Sequence, residues 1–405
     1  MRAVAWAERA MRERGLLHVR TEPVSEPAWA RGTETAAVVA PVVQKLAVTA
    51  LGWSGATPAA GIEADVVRFD SLEGLRNAEE SEVAGRIVFL DVPTARSRDG
   101  HGYGAAVPAR RNGPIEAARK RAAAIVIRSI GTDKSRFPHA GAAERAPGQQ
   151  AKDAIASGAL SNADADLLTR ILERHGRARL ALNLRPKWLG EVGSANVVGE
   201  IPGGERPTEI VLFGAHLDSW DLGTGAVDDG AGCGIVLEAA RAIAALPVKP
   251  ARTVRVVLFA AEESSLAGAE AYAKAHAAEL AMHVLAFEAD SGTDRVFELR
   301  YLGAQDARPR LQALALSLAP LGVTTSDEHA RGGADVRPLR MLGVPVIDLQ
   351  QDVSGYFDVH HTANDTFAQI DPEGLAQASS AFATAAWLAA TMDGDFGRVA
   401  ESDRN

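Results

Sequence analysis

Hydrophobic and polar residues alternate in two different ways in the two parts of the chain. From about Lys187 onward, short apolar runs alternate with segments whose apolar residues recur every three or four positions. The first pattern is typical of buried strands and the second of helices with one apolar face. Regular strand–helix alternation predicts an α/β/α sandwich around a mostly parallel, mixed sheet. The predicted strands are 208–216, 251–263, 282–290 and 344–349, and the predicted helices are 232–246, 266–280, 308–322 and a long one after 370–375.

The chain before Lys187 has a different pattern of hydrophobic and polar residues. Its first 30 residues predict a helix followed by a strand at 16–24. Short β-like runs then alternate with Gly- and Pro-rich turns and with a basic segment, 114–129, that we expect to be helical. This pattern predicts a compact β-rich unit. We therefore expect one discontinuous domain, 1–33 and 187–405, interrupted by an inserted domain, 34–186.

Composition limits the classes of function. The 405 residues are 47% hydrophobic and 23% charged, as in a globular protein of two or three domains. The net charge of −9 argues against nucleic acid and anionic membranes as partners. The apolar run 380–392 is too short to span a bilayer. The single cysteine, Cys233, excludes an internal disulfide and a cysteine-ligated zinc site, and we expect it to pack inside a helix.

Acids and histidines follow the predicted strands at the point where each strand ends. Functional groups in open α/β sheets collect just beyond the carboxyl ends of the strands, so these side chains should meet at one edge. The groups in chain order are His216 and Asp218 with Asp228 and Asp229, then Glu262 and Glu263, then Asp290, and near the end His360, His361 and Asp365.

Imidazole and carboxylate without thiolate suit zinc, manganese or cobalt. The candidate ligands exceed the needs of one tetrahedral ion and favour two ions that share a bridging carboxylate. Each group alone is more often a turn or a surface hydrogen bond, but their order after successive strands favours a metal site. The G-x-S-x-G, Walker and H-E-x-x-H motifs of other enzyme classes are absent from the sequence.

Four of these motifs resemble a known family. They are similar to those of the co-catalytic dizinc exopeptidases, which include bacterial leucyl aminopeptidase, and most of all to the carboxypeptidase Q branch. The similar stretches, in the family's order, are GAHLDSWDLGTGAVDDGAG (214–232), FAAEES (259–264), FEADSGT (287–293) and HHTANDT (360–366). PAWARGTE and FPHAG also resemble that branch, and 85–129 looks like the protease-associated domain inserted in these enzymes. The resemblance implies the zinc exopeptidase fold.

The resemblance implies a role for each ligand. His216 and Asp290 would bind one zinc ion, Glu263 and His361 would bind a second, and Asp228 would bridge the two. His361 is preferred over its neighbour because it directly precedes the threonine of the family motif.

Further roles come from the same resemblance. Glu262 would be the general base, and the Asp218 carboxylate would orient His216. A cis peptide is expected between Asp228 and Asp229. The expected reaction is hydrolysis of dipeptides or short peptides by a zinc-activated water. Whether the amino or the carboxyl end is attacked is left open.

Substrate contacts are less specific. His139 and His329 lie in predicted loops that could reach a substrate, as could His360, and Gly332 and Gly333 belong to a loop expected to shape the pocket floor.

Two rivals keep the same fold. One is a single-zinc enzyme similar to glutaminyl cyclases, and the other is a binding scaffold that has lost catalysis. The presence of all five candidate ligands and the base disfavours the scaffold. The resemblance further implies a homodimer and a secreted or periplasmic enzyme. No export signal is visible at the start of the sequence, so we expect a truncated or processed start and leave the cytoplasm open.

Overall fold

The structure is a computed structural model that describes residues 1–145, 148–149 and 153–404. The strands are β1 (Leu17–Ala30), β2 (Glu34–Ala40), β3 (Gln44–Leu46), β4 (Val48–Ala50), β5 (Ile62–Phe69), β6 (Ile87–Leu90), β7 (Ala124–Arg128), β8 (Ser157–Leu160), β9 (Arg179–Leu184), β10 (Lys187–Ile201), β11 (Arg206–His216), β12 (Arg252–Phe259), β13 (His283–Glu288), β14 (Val296–Leu302), β15 (Thr324–Thr325) and β16 (Val346–Gln351). The α-helices are α1 (Arg2–Glu13), α2 (Leu72–Asn77), α3 (Glu80–Val83), α4 (His101–Arg119), α5 (Asn162–His175), α6 (Ala231–Ala244), α7 (Glu262–Ser265), α8 (Ala267–Ala275), α9 (Arg308–Leu318), α10 (Arg337–Met341) and α11 (Pro372–Thr391).

Within the described residues the strands form two eight-stranded mixed sheets. Sheet A has the order β1-β10-β12-β11-β13-β16-β14-β15, and its centre, β12-β11-β13-β16, is parallel. Sheet B has the order β3-β2-β9-β5-β6-β7-β8-β4. The chain leaves sheet A after β1 and returns at β10, which pairs antiparallel with β1. Along the sequence, all strands of sheet B therefore lie between β1 and β10, which are neighbours in sheet A.

Both faces of sheet A are covered by helices. Alternate residues of β11 point to opposite faces, as the pleat of a strand requires. Val211 and Phe213 join the core beneath α1, α6, α9 and α11, whereas Ile210 and Leu212 join the core beneath α8 and α10. The predicted α/β/α sandwich with a mixed sheet is confirmed.

The prediction of one helix over 114–129 is wrong. Helix α4 begins earlier, at His101, and ends at Arg119, and the run after it forms β7. The apolar residues of β7 are almost completely buried between parallel neighbours β6 and β8. β-Branched residues suit that position, and a short apolar run cannot be told from a buried helical segment by periodicity alone.

Cys233 is buried at the start of α6 and donates a hydrogen bond from Sγ to the His216 carbonyl oxygen, as its predicted packing implies. Among the described residues, no helix combines the length and the apolar character that crossing a bilayer would need.

Candidate metal centre

The metal ligands suggested by the sequence lie together at the carboxyl edge of sheet A. His216 is the last residue of β11, and Asp290 lies two residues beyond β13. Glu263 lies in the first turn after β12, and His361 comes from the loop between β16 and α11. Parallel strands bring their carboxyl ends to one edge, which is why residues so distant in sequence converge.

Asp228 lies between two pairs of side chains. Its Oδ1 is 3.2 Å from His216 Nε2, and that nitrogen is 3.5 Å from Asp290 Oδ1. Its Oδ2 is 3.2 Å from His361 Nε2, which is 2.9 Å from Glu263 Oε2. Each carboxylate oxygen of Asp228 therefore faces a different histidine–carboxylate pair. This is the arrangement that a carboxylate bridging two metal ions requires.

The turn that carries Asp228 is held from two sides. The Asp365 carboxylate accepts the backbone N–H of Val227 at 2.7 Å and that of Asp228 at 3.3 Å. The next residue, Asp229, accepts the N–H groups of His216 and Gly232, each at 3.0 Å. The peptide bond between Asp228 and Asp229 is cis, so that prediction is confirmed.

Glycine is required where α6 begins beside this turn. A Cβ atom on Gly232 would lie 2.0 Å from the Ala289 carbonyl oxygen and 2.2 Å from Asp229 Oδ1. Only a residue without a side chain lets the helix approach the end of β13 so closely.

Asp218 organises the site in a different way from the one implied by the resemblance. Its carboxylate accepts the backbone N–H groups of Glu262 at 3.1 Å and Glu263 at 3.2 Å. The Nδ1 atom of His216 donates instead to the Asp218 backbone carbonyl at 2.9 Å, and the carboxylate is 3.7 Å away. Because Nδ1 carries the proton, the lone pair of Nε2 is free to bind a metal.

Burial and crowding shift the pKa values of the acids. Burial raises the pKa of Glu262 well above its usual range, and the charges of Asp290 and Glu263 add to the shift while His216 opposes it. Burial also raises the pKa of Glu263 to about 7 and raises that of Asp290. Asp228 is the exception. Burial opposes its ionisation, but the facing imidazoles of His216 and His361 hold its pKa well below its usual range.

The two facing histidines show the complementary effect. Burial alone would lower their pKa values, but the carboxylates opposite raise the pKa of His216 and of His361 well above the usual range. Carboxylates so deeply buried attract protons when nothing else neutralises them. Divalent cations would neutralise the same charges.

Several buried atoms of this cluster have no hydrogen-bond partner among the described residues. They are His216 Nε2, Asp228 Oδ2, Glu263 Oε1 and His361 Nδ1. Buried polar atoms in proteins are nearly always paired, so each exception needs a reason. All four atoms belong to side chains that face one another around Asp228. Imidazole nitrogen and carboxylate oxygen are donors that zinc prefers, and the residues present therefore fit zinc.

Comparison with known proteins places the chain in a family. The model of peptidase family M28 matches residues 196–386. Carboxypeptidase Q of Mus musculus is 34% identical over 383 residues, which cover 95% of this chain and 79% of that protein. The chain belongs to peptidase family M28. The resemblance seen in the motifs is confirmed.

Solved structures agree with this assignment to M28. The crystal structure of a peptidase M28 precursor from Shewanella amazonensis SB2B is 46% identical, has a TM-score of 0.95 and covers 98% of this chain and 89% of that one. BSAP, a zinc aminopeptidase from Bacillus subtilis, shares the fold with a TM-score of 0.65 at 18% identity, covering 99% of this chain and 92% of that one.

The remaining predicted contacts of this M28 chain fall in different places. His360 lies at the site, with Nε2 3.4 Å from Asp228 Oδ2 and its ring stacked on that of His361. Burial and the charge of His361 hold the pKa of His360 well below its usual range, so the ring is neutral. His139 is buried, and both of its ring nitrogens contact protein atoms. His329 is exposed and lines a separate cavity beside α9.

The glycine loop of this M28 chain lies against the metal cluster. A Cβ atom on Gly333 would lie 2.0 Å from Glu288 Oε2, which accepts the N–H of Asp335 at 2.9 Å. The N–H of Gly332 is bound by Asp348 Oδ1 at 2.7 Å. The loop is thus anchored at the end of β13 and within β16, and Ala334 lines the cavity.

Sequence reasoning missed several residues of the cavity, whose volume is about 310 Å³. Arg110 and Tyr103 reach it from α4, together with Arg337 from α10. Arg110 is only 7% exposed and has no ion-pair partner among the described residues, and its Nη1 donates to the Tyr103 hydroxyl at 3.0 Å. An arginine in a basic helix carries no local signal of such a position, so the sequence could not have identified it.

Proposed function

We propose that this chain is a two-zinc exopeptidase that hydrolyses dipeptides or short peptides. The observation that carries the proposal is the position of Asp228, with one carboxylate oxygen facing His216 and Asp290 and the other facing His361 and Glu263. Membership of peptidase family M28 and the likeness to carboxypeptidase Q support the peptidase reaction.

Two zinc ions bound by these five residues would polarise the scissile carbonyl and lower the pKa of water from about 15.7 towards 7. Glu262 lines the same cavity and is the candidate general base. Its carboxylate would accept a proton from the attacking water and return it to the leaving nitrogen. The bonds from Asp218 to the backbone of Glu262 and Glu263 would hold both carboxylates in place during this transfer.

Arg110 supports a substrate with a free carboxyl terminus. A buried guanidinium without an acid partner is unfavourable, because charges removed from water need a counter-ion. Arginine pairs with carboxylates through two parallel hydrogen bonds. A peptide carboxylate next to Tyr103 would provide that partner, within the cavity that contains Asp228. The cavity volume of about 310 Å³ favours small peptides as substrates.

We also propose the domain division expected from the sequence, with a catalytic domain of 1–33 and 187–405 and an inserted protease-associated domain of 34–186. In chain order, β2 is the first strand of sheet B and begins at Glu34, and β9 is the last and ends at Leu184. These positions support the proposed bounds of the inserted domain. The resemblance to the carboxypeptidase Q branch further supports a homodimer and a secreted or periplasmic location.

The decisive test combines metal content with cleavage. Zinc per chain is measured by mass spectrometry of the purified protein, and hydrolysis is followed on dipeptides with free, amino-blocked and carboxyl-blocked ends. Two zinc ions and cleavage that chelators abolish are expected. One zinc without cleavage would favour the cyclase-like enzyme, and absence of zinc would favour the scaffold; either result would refute the proposal.

A further inference from the structure

A loop of sheet B contacts the loop that carries the last metal ligand. Residues 129–140 follow β7 and lie against residues 356–361 of the catalytic part. The N–H of Thr132 donates to the Phe357 carbonyl at 3.0 Å. Nδ1 of His139 donates to the His360 carbonyl at 2.7 Å, and the N–H of Ala140 donates to the His361 carbonyl at 2.8 Å. Both carbonyl groups of the histidine pair are therefore held by sheet B.

His361 lacks the usual means of orientation. A metal-binding histidine ordinarily donates its second ring nitrogen to an acceptor, which fixes the ring. The Nδ1 atom of His361 is buried and has no partner among the described residues. Its backbone has a φ of +62°, in the left-handed region that non-glycine residues seldom occupy. The direction of the ring thus depends on stacking against His360 and on the backbone, and sheet B binds the backbone carbonyl groups of both residues.

His139 is itself firmly placed. It is 1% exposed, and its backbone N–H donates to Ser129 Oγ at 2.8 Å. Its Nε2 lies 2.8 Å from Asp133 Oδ1, which also accepts from Asn162 at 3.1 Å. Burial raises the pKa of Asp133, but the bonds from His139 and Ser135 outweigh it and leave the pKa below its usual range. An ionised Asp133 accepts from Nε2 while the His360 carbonyl accepts from Nδ1.

The space around the ring is equally restricted. A Cβ atom on Gly131 would lie 2.2 Å from the imidazole of His139. With both ring nitrogens used and almost no exposed surface, His139 has no atom left for a substrate. The expectation of a substrate contact therefore gives way to a role within the protein.

We infer that His139 is a positioning residue for the metal centre. It acts through the His360 carbonyl to hold His361 towards Glu263 and Asp228, so that the sheet B unit completes the second metal position. The inference rests on the proposed function, since His361 is a ligand only if the site binds zinc. It predicts that a change in sheet B alters one metal position and spares the other.

The experiment compares three full-length variants with the wild type. His139→Ala removes the donor, and His139→Asn places an amide N–H where Nδ1 was. Thr169→Val is the matched control, because it removes a 2.8 Å side-chain bond to Asp91 elsewhere in the sheet B unit. Each metal-free protein is titrated with Zn²⁺ against a competing chelator, and with Co²⁺ while the visible absorption spectrum is recorded.

His139→Ala is expected to lower the affinity for one of the two ions by about 10- to 100-fold, the range found when partners of metal ligands are removed. The Co²⁺ spectrum of that ion should change, and the other ion should bind as in the wild type. His139→Asn should restore binding to within a few-fold, and Thr169→Val should leave both ions unchanged.

Two outcomes would overturn the inference. One is wild-type affinity for both ions in His139→Ala. The other is that both ions bind more weakly, and by the same factor, in His139→Ala and also in Thr169→Val. If His139→Ala does not fold, His139→Leu removes the same donor while filling the space of the ring, and unchanged affinity there would also overturn the inference. A wild type that binds no zinc would instead refute the proposed function, so the two failures are distinguishable.

Discussion

Asp228 is the residue on which the two halves of the metal centre depend. Its low pKa contrasts with the raised pKa values of its neighbours Glu263 and Asp290, because Asp228 faces two histidines whereas each of those acids faces only one. The cluster therefore holds one firmly ionised carboxylate at its centre and proton-binding carboxylates around it. Such a centre would give a fixed negative charge to both of the proposed metal positions.

Replacing Glu262 with Gln tests the proposed base. The amide keeps the size of the side chain but cannot accept a proton, so we expect kcat to fall by about 10²- to 10⁴-fold. Zinc content should stay at the wild-type value, because Glu262 is not among the proposed ligands. Steady-state kinetics and metal analysis of the same preparation provide the check, and full activity with two zinc ions would contradict the role.

Replacing Arg110 with Met tests recognition of the substrate carboxylate. Loss of a hydrogen-bonded charge pair is worth about 1.5–3 kcal/mol, so kcat/KM for a dipeptide should fall by about 10- to 100-fold. For the corresponding dipeptide amide, kcat/KM should fall little, because the amide presents no carboxylate. Tyr103→Phe, which keeps the guanidinium, is the control. Equal losses on acid and amide would show that Arg110 acts on the fold instead.

The structure brings together the side chains that the sequence suggested as metal ligands, but the sequence did not predict every contact they make. His216, Glu262, Glu263 and Asp290 could be found because each follows an apolar strand, and the topology of the sheet does the rest. The partner of His216 Nδ1 could not be predicted, because a backbone carbonyl leaves no trace in the residue types. The position of Arg110 could not be predicted either, because the fold of the sheet B unit sets its place at the cavity.

At the level of elements, β13 shows how one strand serves both stability and chemistry. Its carboxyl end leads to Asp290, whereas its first residue, His283, is fully buried against α8. Nδ1 of His283 donates to the Glu279 carbonyl, and Nε2 accepts from the Tyr272 hydroxyl, each at 3.0 Å. This pattern requires a neutral ring, and burial lowers the pKa of His283 to about 4.

The pKa of His283 predicts a loss of stability in acid. Between pH 6.5 and 4 the unfolded chain binds a proton that the folded chain does not, so the free energy of unfolding falls as pH falls. The shift corresponds to about 3 kcal/mol at pH 4 and none above pH 6.5.

His283→Asn should remove this contribution, so the stability gap between wild type and variant should narrow as pH falls. Urea unfolding of both proteins across this range measures the gap. Tyr272→Phe retains the imidazole and should retain the pH dependence. A gap that stays constant with pH would contradict the prediction.

Elements differ in how well the sequence predicts them. The strands of the parallel centre contain apolar runs and were predicted within a few residues, as were α6 and α9. Residues 114–129 were misassigned because α4 ends inside a basic, alanine-rich stretch and β7 begins five residues after Arg119. The signal for the strand lies in its burial between β6 and β8, which only the tertiary structure provides.

For the whole molecule, metal binding and stability should be coupled. The buried carboxylates of the centre repel one another without cations, so a chelator should lower the thermal unfolding midpoint and added zinc should restore it. Each ion at 100 times its Kd would contribute about 2.7 kcal/mol. Asp228→Asn, which removes the bridging charge, should respond much less to zinc. Differential scanning calorimetry provides the check, and a midpoint insensitive to chelation would contradict the coupling.

The place of sheet B in the chain has a consequence for biosynthesis. β1 leaves the ribosome early, yet its partner β10 begins more than 150 residues later. Closing so long a flexible gap costs about 4–5 kcal/mol of chain entropy. The first and last strands of sheet B pair with each other, Glu34 opposite Leu184, and the N–H of Arg185 bonds to the Thr33 carbonyl at 3.0 Å. Once sheet B has folded, the ends of β1 and β10 already lie side by side, so the nascent chain can close the catalytic sheet as a local event.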